Sequence, residues 1–207
     1  VTRAAYTAKP EDLKVPPANT TVGKLWLHWC QPSDFNQILK FYVDELLATP
    51  DYIAQPSLRE GVRTNPKGWK DRLTATAITS LQGSFDVRKG TKIALLLRGR
   101  KSGKPEVLGM FRVEIAPNRI GAIQDLMVAK KHRGQGHGTT LMNGIIEQFR
   151  LIGCTEMTIS SSHVLQDSLS PFLAKFGIKP YAVFWAMDLP PIEVKTVARE
   201  EVGGFQG

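Results

Sequence analysis

The sequence predicts an α+β domain, a mixed α/β fold in which helices are inserted into a mostly antiparallel series of strands. Two patterns carry this prediction: short apolar runs typical of strands, and apolar residues that recur at helical spacing. Their order along the chain is β-α-α-β-β-β-α-β-α-β. The length of 207 residues suits one such domain with a single large core.

The first half of the chain contains one predicted strand and two predicted helices. Leu25–Trp29 is a short apolar run typical of a strand, and Ser33 or Asp34 is the expected N-cap of the helix that follows. That helix presents one apolar face. Residues 49–67 contain three prolines and predict a loop, and the second helix is expected at residues 69–81.

The second half alternates strands with two further helices. Strands are expected at residues 93–97, 107–115, 120–128, 155–160 and 181–189, and helices at 138–152 and 165–176. Residues 98–104 have the composition of a turn, so the strands on either side are expected to pair as a hairpin. Gly153 and Gly177 favour the ends of the two helices.

The two ends of the chain differ in composition from its middle. Residues 1–23 contain Pro10, Pro16 and Pro17 and lack apolar periodicity, which predicts an extended N-terminal arm. Residues 190–207 predict a polar C-terminal tail, so the folded domain is expected at residues 24–189. No stretch approaches the roughly 20 apolar residues of a membrane span, and no apolar core of a secretory signal is present.

Cysteine usage and charge limit the classes of function. Cys30 and Cys154 lie far apart without metal-like spacing, and we expect buried thiols in a reducing compartment, which favours a cytoplasmic protein. The formal charge of +8 suits nucleic acid, an acidic assembly surface or a polyanionic small ligand. Basic residues are scattered without interleaved aromatic residues, so nothing supports nucleic-acid binding. The one local cluster is Lys130, Lys131 and Arg133.

This cluster leads into a glycine-rich loop between a predicted strand and a strongly amphipathic predicted helix. The loop runs Arg133, Gly134, Gln135, Gly136, His137 and Gly138. Every second residue lacks a Cβ atom, so a ligand can approach the backbone closely. Unpaired amides of the first helical turn and the helix dipole favour an anion there, and the hydroxyls of Thr139 and Thr140 add donors. These features predict a diphosphate site.

Two other phosphate-binding motifs do not match this loop. A dinucleotide fingerprint requires G-x-G-x-x-G in a parallel βαβ unit, whereas the spacing here is G-x-G-x-G. A P-loop requires Gly-Lys followed by Ser or Thr, and this loop has no such sequence. A glycine-rich turn that binds no ligand is the remaining alternative.

The loop and its surroundings resemble the GNAT superfamily of N-acetyltransferases. The motif of that family is Gln or Arg, two residues, Gly, one residue, and Gly or Ala, and Arg133, Gly136 and Gly138 match it. The preceding strand residues 125–128 and the order of the elements also match, so the resemblance covers about residues 25–189. It implies a central, mostly antiparallel twisted sheet of six to seven strands with helices on both faces.

The resemblance also implies acetyl-CoA as the acyl donor. Its pyrophosphate is expected on the amides of Arg133, Gly134, Gln135, Gly136, His137, Gly138 and Thr139. The backbone at Met127 and Val128 is expected to bind the pantetheine arm, and the next strand is expected to splay away and admit the thioester. Gln166 lies near a position where the family often has an asparagine that contacts the pantetheine; a solvated glutamine is the alternative.

Transfer of an acetyl group to an amine requires a group that takes a proton from the amine. Candidates on neighbouring strands are Glu114, Gln124 and Asp125. A glutamine cannot act as a base, and Asp125 occupies a position at which the family often has an acidic residue. Asp125 is therefore the preferred base, with a solvated or salt-bridged carboxylate as the alternative.

The reaction also requires a proton for the leaving thiolate. Many members of the family supply it from a tyrosine in the helix before the last strands, but Leu173 stands at that position. His163 is the preferred substitute, and Ser168 and Tyr181 lie nearby in the sequence.

Two functions of different class follow. The first is an N-acyltransferase that transfers acetyl from acetyl-CoA to a small-molecule or protein amine by direct attack in a ternary complex, with neither a covalent intermediate nor a metal. The second is a GNAT-fold structural or interaction protein with little or no catalysis. Such a protein would join an oligomer or a larger assembly, such as a virus particle, through the arm and the tail. Leu173 keeps this second function open.

Overall fold

The computed structural model describes residues 24–85, 90–101, 103–116, 118–159 and 163–178, and for residues 163–168 it describes the backbone alone. The predicted arm at residues 1–23, the strand predicted at residues 181–189 and the predicted tail at residues 190–207 lie outside this part of the chain.

The described part of the domain is built on one sheet of five strands in sequential order. The strands are β1 (Leu25–Trp29), β2 (Thr91–Arg98), β3 (Glu106–Ile115), β4 (Ile120–Val128) and β5 (Glu156–Ile159). The first three pairings are antiparallel, and β4 pairs with β5 in parallel. This confirms the predicted fold class, although the described residues form five strands where six to seven were expected.

Helices cover both faces of the sheet, as predicted. They are α1 (Phe35–Ala48), α2 (Pro56–Thr64), α3 (Pro66–Gln82), α4 (His137–Ile152) and α5 (His163–Ala174). One apolar cluster joins α1, α2 and α3 to the sheet, and a second joins α4 and α5 to its other face. Within the described residues, no helix is both long and apolar enough to cross a membrane.

The loop predicted at residues 49–67 is wrong, because most of this segment is helical. Pro50 begins a 3-10 turn, Pro56 begins α2 and Pro66 begins α3. Proline is favoured at the first position of a helix, where its missing N–H has no intrahelical acceptor to lose. The prolines that appeared to exclude helices therefore mark where three helical segments start.

The expected N-cap of the first helix is confirmed in position, and the expected burial of the two cysteines needs correction. Asp34 is the N-cap of α1, but its side chain makes no capping bond there; its Oδ2 accepts instead from the Gln31 amide at 2.8 Å, across a 3-10 turn at Pro32–Asp34. Cys30 and Cys154 are free thiols as predicted, but both are partly exposed and not fully buried.

The pairing of β3 with β4 contains a bulge. Arg112 and Val113 of β3 pair with Asp125 and Ile123, which leaves Gln124 as an extra residue at a bulge. The pairing of β4 with β5 ends at Ile123. From the bulge to the end of β4, that edge of the strand therefore has no strand partner among the described residues, and this cleft leads directly to the glycine-rich loop.

Candidate active site

The backbone of the glycine-rich loop needs glycine at two positions. Gly134 has a φ of +75° and Gly136 a φ of +83°, both in the left-handed region, where another residue type costs on the order of 1–3 kcal/mol. A Cβ atom at either position would meet nothing within 4 Å. Glycine is therefore required here by the turn and not by packing, and the space in front of the loop is open.

Gly138 has a different role from the other two glycines. A Cβ atom there would meet Phe172 of α5 at 3.4 Å and Val128 of β4 at 3.9 Å. These distances are ordinary van der Waals contacts, so a Cβ atom would fit at this position. The three glycines are therefore not equivalent: the turn requires glycine at the first two positions, whereas neither a positive φ nor packing requires it at the third.

Donors gather where the loop enters α4. The first bond of the helical ladder runs from the Thr140 amide to the Gly136 carbonyl at 3.1 Å, so the amides of His137, Gly138 and Thr139 precede it. Gln135 and Thr139 are exposed on the same turn. The positive end of the helix dipole adds to the attraction for an anion. The arrangement is suited to a phosphate or diphosphate group.

Arg133 anchors the loop to the rest of the fold. Its guanidinium lies over the Tyr52 ring at 4.8 Å, donates to the Val128 carbonyl at 3.1 Å and to Thr49 Oγ1 at 2.9 Å, and lies 3.6 Å from Glu45 Oε2. Its amide donates to the Lys130 carbonyl at 3.4 Å. Both the guanidinium and the backbone amide of Arg133 are therefore bonded within the protein. This distinguishes the amide of Arg133 from the amides of the loop residues that follow it.

Glu106 holds the turn before the loop. Its Oε1 lies 2.6 Å from Lys131 Nζ and 2.9 Å from His132 Nε2, and its Oε2 lies 2.7 Å from Arg98. Hydrogen bonds from Lys131 and Arg98, the largest causes, and from His132 keep the pKa of this carboxyl well below its usual range. Glu106 was not singled out in the sequence, where a lone glutamate before a strand gives no signal.

The side chain of His137 is buried next to the turn that Glu106 holds. It is 8% exposed, its ring meets His132 edge to face at 6.1 Å, and its Nε2 has no hydrogen-bond partner among the described residues. Burial lowers the pKa of His137, and the positive charges of His132 and Arg98 lower it further. Its contribution to an anion site is consequently its amide, with a neutral ring packed behind the loop.

Asp125 is buried beneath the bulge of β4. Its Oδ2 lies 2.6 Å from Arg112 Nε, and its Oδ1 accepts a 3.2 Å hydrogen bond from the Tyr42 hydroxyl. Burial raises the pKa of Asp125 by more than Arg112 and Tyr42 lower it. Burial and the nearby Asp125 charge likewise raise the pKa of Tyr42, so its hydroxyl stays protonated.

Tyr42 and Arg112 are functional candidates that sequence reasoning missed. Tyr42 lies on the apolar face of α1, where an aromatic residue at helical spacing is typical of a core. Arg112 offered a signal, since it is a lone cation within the largely buried strand β3 and a buried cation requires a partner. Arg112 is fixed from below by Ser80, whose carbonyl and hydroxyl oxygens each accept from its Nη1 at 2.9 Å.

The other two base candidates lie in a cleft beside Arg112. Gln124 Nε2 donates to Glu114 Oε2 at 3.0 Å, and both line a cavity of about 230 Å³ together with Thr79 and Ser84. Glu114 thus lines an open cavity and bonds to Gln124, whereas Asp125 is buried against Arg112 and Tyr42.

The remaining predicted site residues belong to the end of β4, to α5 and to the part of the chain outside the described residues. Met127 and Val128 end β4 beyond its last pairing with β5. His163 begins α5 and Gln166 lies in its first half, but their side chains are outside the described residues, as is Tyr181. Leu173 packs in the apolar cluster of α4 and α5.

A family model identifies the chain. The acetyltransferase (GNAT) family matches residues 66–177, more than half of the chain, and this span includes β2 to β5, α4 and the glycine-rich loop. The chain belongs to the GNAT acetyltransferase family, whose members use acetyl-CoA as donor.

Solved structures show the same fold at low sequence identity. An acetyltransferase of Trypanosoma brucei is 20% identical with a TM-score of 0.52, and the match covers 80% of this chain and 100% of that chain. A transcriptional regulator from Bacillus halodurans is 16% identical with a TM-score of 0.55 and the same two coverages. An aminoglycoside acetyltransferase from an uncultured soil metagenomic sample, in complex with sisomicin, is 13% identical with a TM-score of 0.54, over 80% and 97% of the two chains. A search of curated protein sequences gave no match.

Proposed function

We propose that the chain is an acyl-CoA-dependent N-acyltransferase that transfers acetyl from acetyl-CoA to an amine by direct attack in a ternary complex. The observation that carries the proposal is the junction of two features. One is an open, donor-rich loop at the start of α4, and the other is the edge of β4 that leads to it, which beyond Ile123 has no strand partner in the part of the chain that the structure describes. The first suits a diphosphate and the second suits an extended amide chain, and CoA contains both in that order.

Binding of the donor follows from these two features. The amides of Gly134, Gln135, Gly136, His137, Gly138 and Thr139 receive the pyrophosphate. The edge of β4 at Met127 and Val128 offers backbone groups to the pantetheine, much as a strand would. Arg133 acts mainly by fixing the loop, because its guanidinium is already bonded to Val128 and Thr49.

The chemistry of transfer uses Asp125 as the proton acceptor. The amine nitrogen attacks the thioester carbonyl, the carbon–sulfur bond breaks, and the amine proton passes to Asp125. Burial raises the pKa of Asp125, which makes it a stronger base than a solvated carboxylate. When Asp125 becomes neutral, Arg112 keeps its two bonds to Ser80. The leaving thiolate takes a proton from His163 at the start of α5.

The decisive experiment measures donor binding and thiol release separately. Wild-type protein is titrated with acetyl-CoA by calorimetry, and thiol release is then followed against a panel of amines. Binding together with amine-dependent thiol release supports the proposal. Failure to bind acetyl-CoA at millimolar concentration would contradict it.

The role of Asp125 is tested with Asp125→Asn, an isosteric change that removes the base. We expect kcat to fall by about 100-fold or more, the range of general acid–base catalysis, with little change in acetyl-CoA affinity. Glu114→Gln is the matched control on the neighbouring strand and should change kcat by less than about threefold. Equal losses in both variants would exclude Asp125 as the base.

A second function is favoured by one observation. Leu173, which stands where many GNAT enzymes have a tyrosine, packs in an apolar cluster and offers no proton. This supports a GNAT fold that binds CoA as an interaction module and turns over little or not at all. Intact acetyl-CoA binding without thiol release against the whole amine panel would favour this module over the enzyme.

A further inference from the structure

We propose that His28, Cys30 and Asp34 form a binding site for one divalent cation with the ligand preferences of Zn²⁺, at the junction of β1 and α1. The imidazole nitrogen, the thiol sulfur and a carboxylate oxygen of these residues all lie within 4.8 Å of one another. The site is separate from the acyl-CoA cleft and does not depend on the proposed function.

The local fold explains why these three side chains meet. His28 and Cys30 are two residues apart at the end of an extended segment, so their side chains point to the same face of the sheet. The 3-10 turn at Pro32–Asp34 then reverses the chain and brings Asp34 back to that face. His28 Nε2 and Asp34 Oδ2 lie 3.0 Å apart, and the Gln31 amide holds the same carboxylate oxygen at 2.8 Å.

The donor set matches Zn²⁺ better than the hard cations. One nitrogen, one sulfur and one oxygen are ligands that zinc accepts together, and three protein ligands leave a fourth position for water. Calcium and magnesium take oxygen ligands almost exclusively. With the deprotonated thiol and the carboxylate, the ligands balance the double charge of the cation.

The distances allow binding with a small adjustment. Zinc bonds of about 2.0 Å to nitrogen and about 2.3 Å to sulfur place neighbouring ligand atoms roughly 3.5 Å apart in a tetrahedron. The thiol therefore has to move inward by about 1 Å. All three side chains are partly exposed, and the sulfur makes a weak 3.7 Å contact to the His28 carbonyl.

On binding, the cation displaces the thiol proton of Cys30, because the thiolate and not the thiol is the metal ligand.

The site lies near one edge of the sheet, away from the cleft at β4. Among the described strands, β1 is at this edge, and β2 and β3 lie between it and β4. Roughly 14 Å of sheet therefore separates the two sites. A cation here would connect the end of β1 to the start of α1 and stabilise that corner. The spacing His-x-Cys-x-x-x-Asp gives no signal in the sequence, because zinc motifs are recognised by repeated pairs of cysteine or histidine and this segment has neither pair.

The test is a Co²⁺ titration of metal-free, CoA-free protein, since the thiol of CoA would itself bind the metal. We expect one equivalent of Co²⁺ to bind with a sulfur-to-cobalt charge-transfer band. Cys30→Ser should remove that band and weaken binding by more than about 100-fold, because even outer-shell partners of a metal site are worth roughly 10–100-fold. Cys154→Ser, which changes the other free thiol, should leave band and affinity unchanged.

A second measurement keeps the proposal testable if Cys30→Ser folds poorly. Zn²⁺ should raise the midpoint of thermal unfolding of wild type but not of His28→Gln or Asp34→Asn; an asparagine oxygen can still accept from the Gln31 amide, so the turn is preserved. The proposal is overturned if Co²⁺ gives no charge-transfer band, if the band survives Cys30→Ser, or if Zn²⁺ stabilises all variants equally.

Discussion

The two ends of α4 use the same residue in the same conformation for different purposes. Gly136 precedes the helix with a φ of +83° and Gly153 follows it with a φ of +80°. A Cβ atom at either position would meet nothing within 4 Å. Residue type, backbone angle and open space are therefore shared, and the difference between the two ends lies in their hydrogen bonds.

At the C-terminal end of α4, the peptide groups form hydrogen bonds within the protein itself. The Gly153 amide donates to the Arg150 carbonyl at 3.0 Å, and the Cys154 amide donates to the Phe149 carbonyl at 2.8 Å. This is the usual way in which a left-handed glycine closes a helix. At the N-terminal end, the corresponding turn presents donors to open space and is held in place by Arg133. The peptide groups beside the left-handed glycine are used by the chain itself at Gly153, and the proposed function assigns those beside Gly136 to the diphosphate of the donor.

The largest expected effect comes from adding bulk at the two glycines. Gly136→Trp should weaken acetyl-CoA binding by more than about 100-fold, which corresponds to about 2.7 kcal/mol or more, because the ring fills the space in front of the amides. Gly153→Trp carries the same backbone strain and should leave the affinity within about twofold. Calorimetric titration of both variants compares them. Similar losses of affinity in the two variants would mean that the loop is not the site.

Reversing one charge at each end should have an intermediate effect. Arg133→Glu loses the bonds to Val128 and Thr49 and places a carboxylate beside Glu45, so we expect affinity for acetyl-CoA to fall about 10–100-fold, or roughly 1.5–3 kcal/mol. Arg150→Glu, in the last turn of α4, should cost only about 0.3–1 kcal/mol of stability through the helix dipole. Unchanged donor affinity in Arg133→Glu would show that the anchor is dispensable.

The smallest effect is an acid-dependent weakening of the N-terminal end. The pKa of Glu106 is lower in the folded chain than in the unfolded one, so its stabilisation is complete above the unfolded pKa of about 4.5 and is lost as the pH falls from there through the folded pKa. Glu106→Gln should therefore lower the free energy of unfolding by about 1–3 kcal/mol at pH 7, and the gap to wild type should close in acid.

Urea unfolding across a pH series measures this gap. Glu147→Gln, an exposed glutamate on α4 itself, is the control and should follow wild type within about 0.5 kcal/mol at every pH. A gap for Glu106→Gln that stays constant down to pH 3 would show that its partners do not shift its titration.

Much of the fold could be predicted from local patterns. The strand at residues 120–128 has the predicted bounds, and α4 begins one residue before the predicted start and ends at Ile152 as expected. α4 has an unbroken helical periodicity and ends at a glycine, Gly153, so local sequence and tertiary packing favour the same structure there. The prediction of a loop at residues 49–67 was wrong because a proline is compatible with both a loop and the start of a helix. Only packing against the core distinguishes the two.

The candidate site divides in the same way. The glycine-rich loop was predicted because its chemistry is local: adjacent glycines, adjacent amides and one helix end. The environment of Asp125 could not be predicted, because Tyr42 and Arg112 come from α1 and β3, far away in the chain. The cluster of His28, Cys30 and Asp34 is short in sequence, yet only the 3-10 turn shows that the three side chains meet.

The sequence by itself determined the family, the order of the elements and the loop at the start of α4, because each depends on residues that are neighbours along the chain. Only the tertiary structure decided which polar groups have hydrogen-bond partners within the protein. It showed that Arg133 is an anchor, that the His137 ring is buried, and that the described pairing of β4 with β5 ends at Ile123. Whether a polar group has a hydrogen-bond partner depends on which atoms lie near it in space, and a sequence does not give the distances between residues that are far apart along the chain.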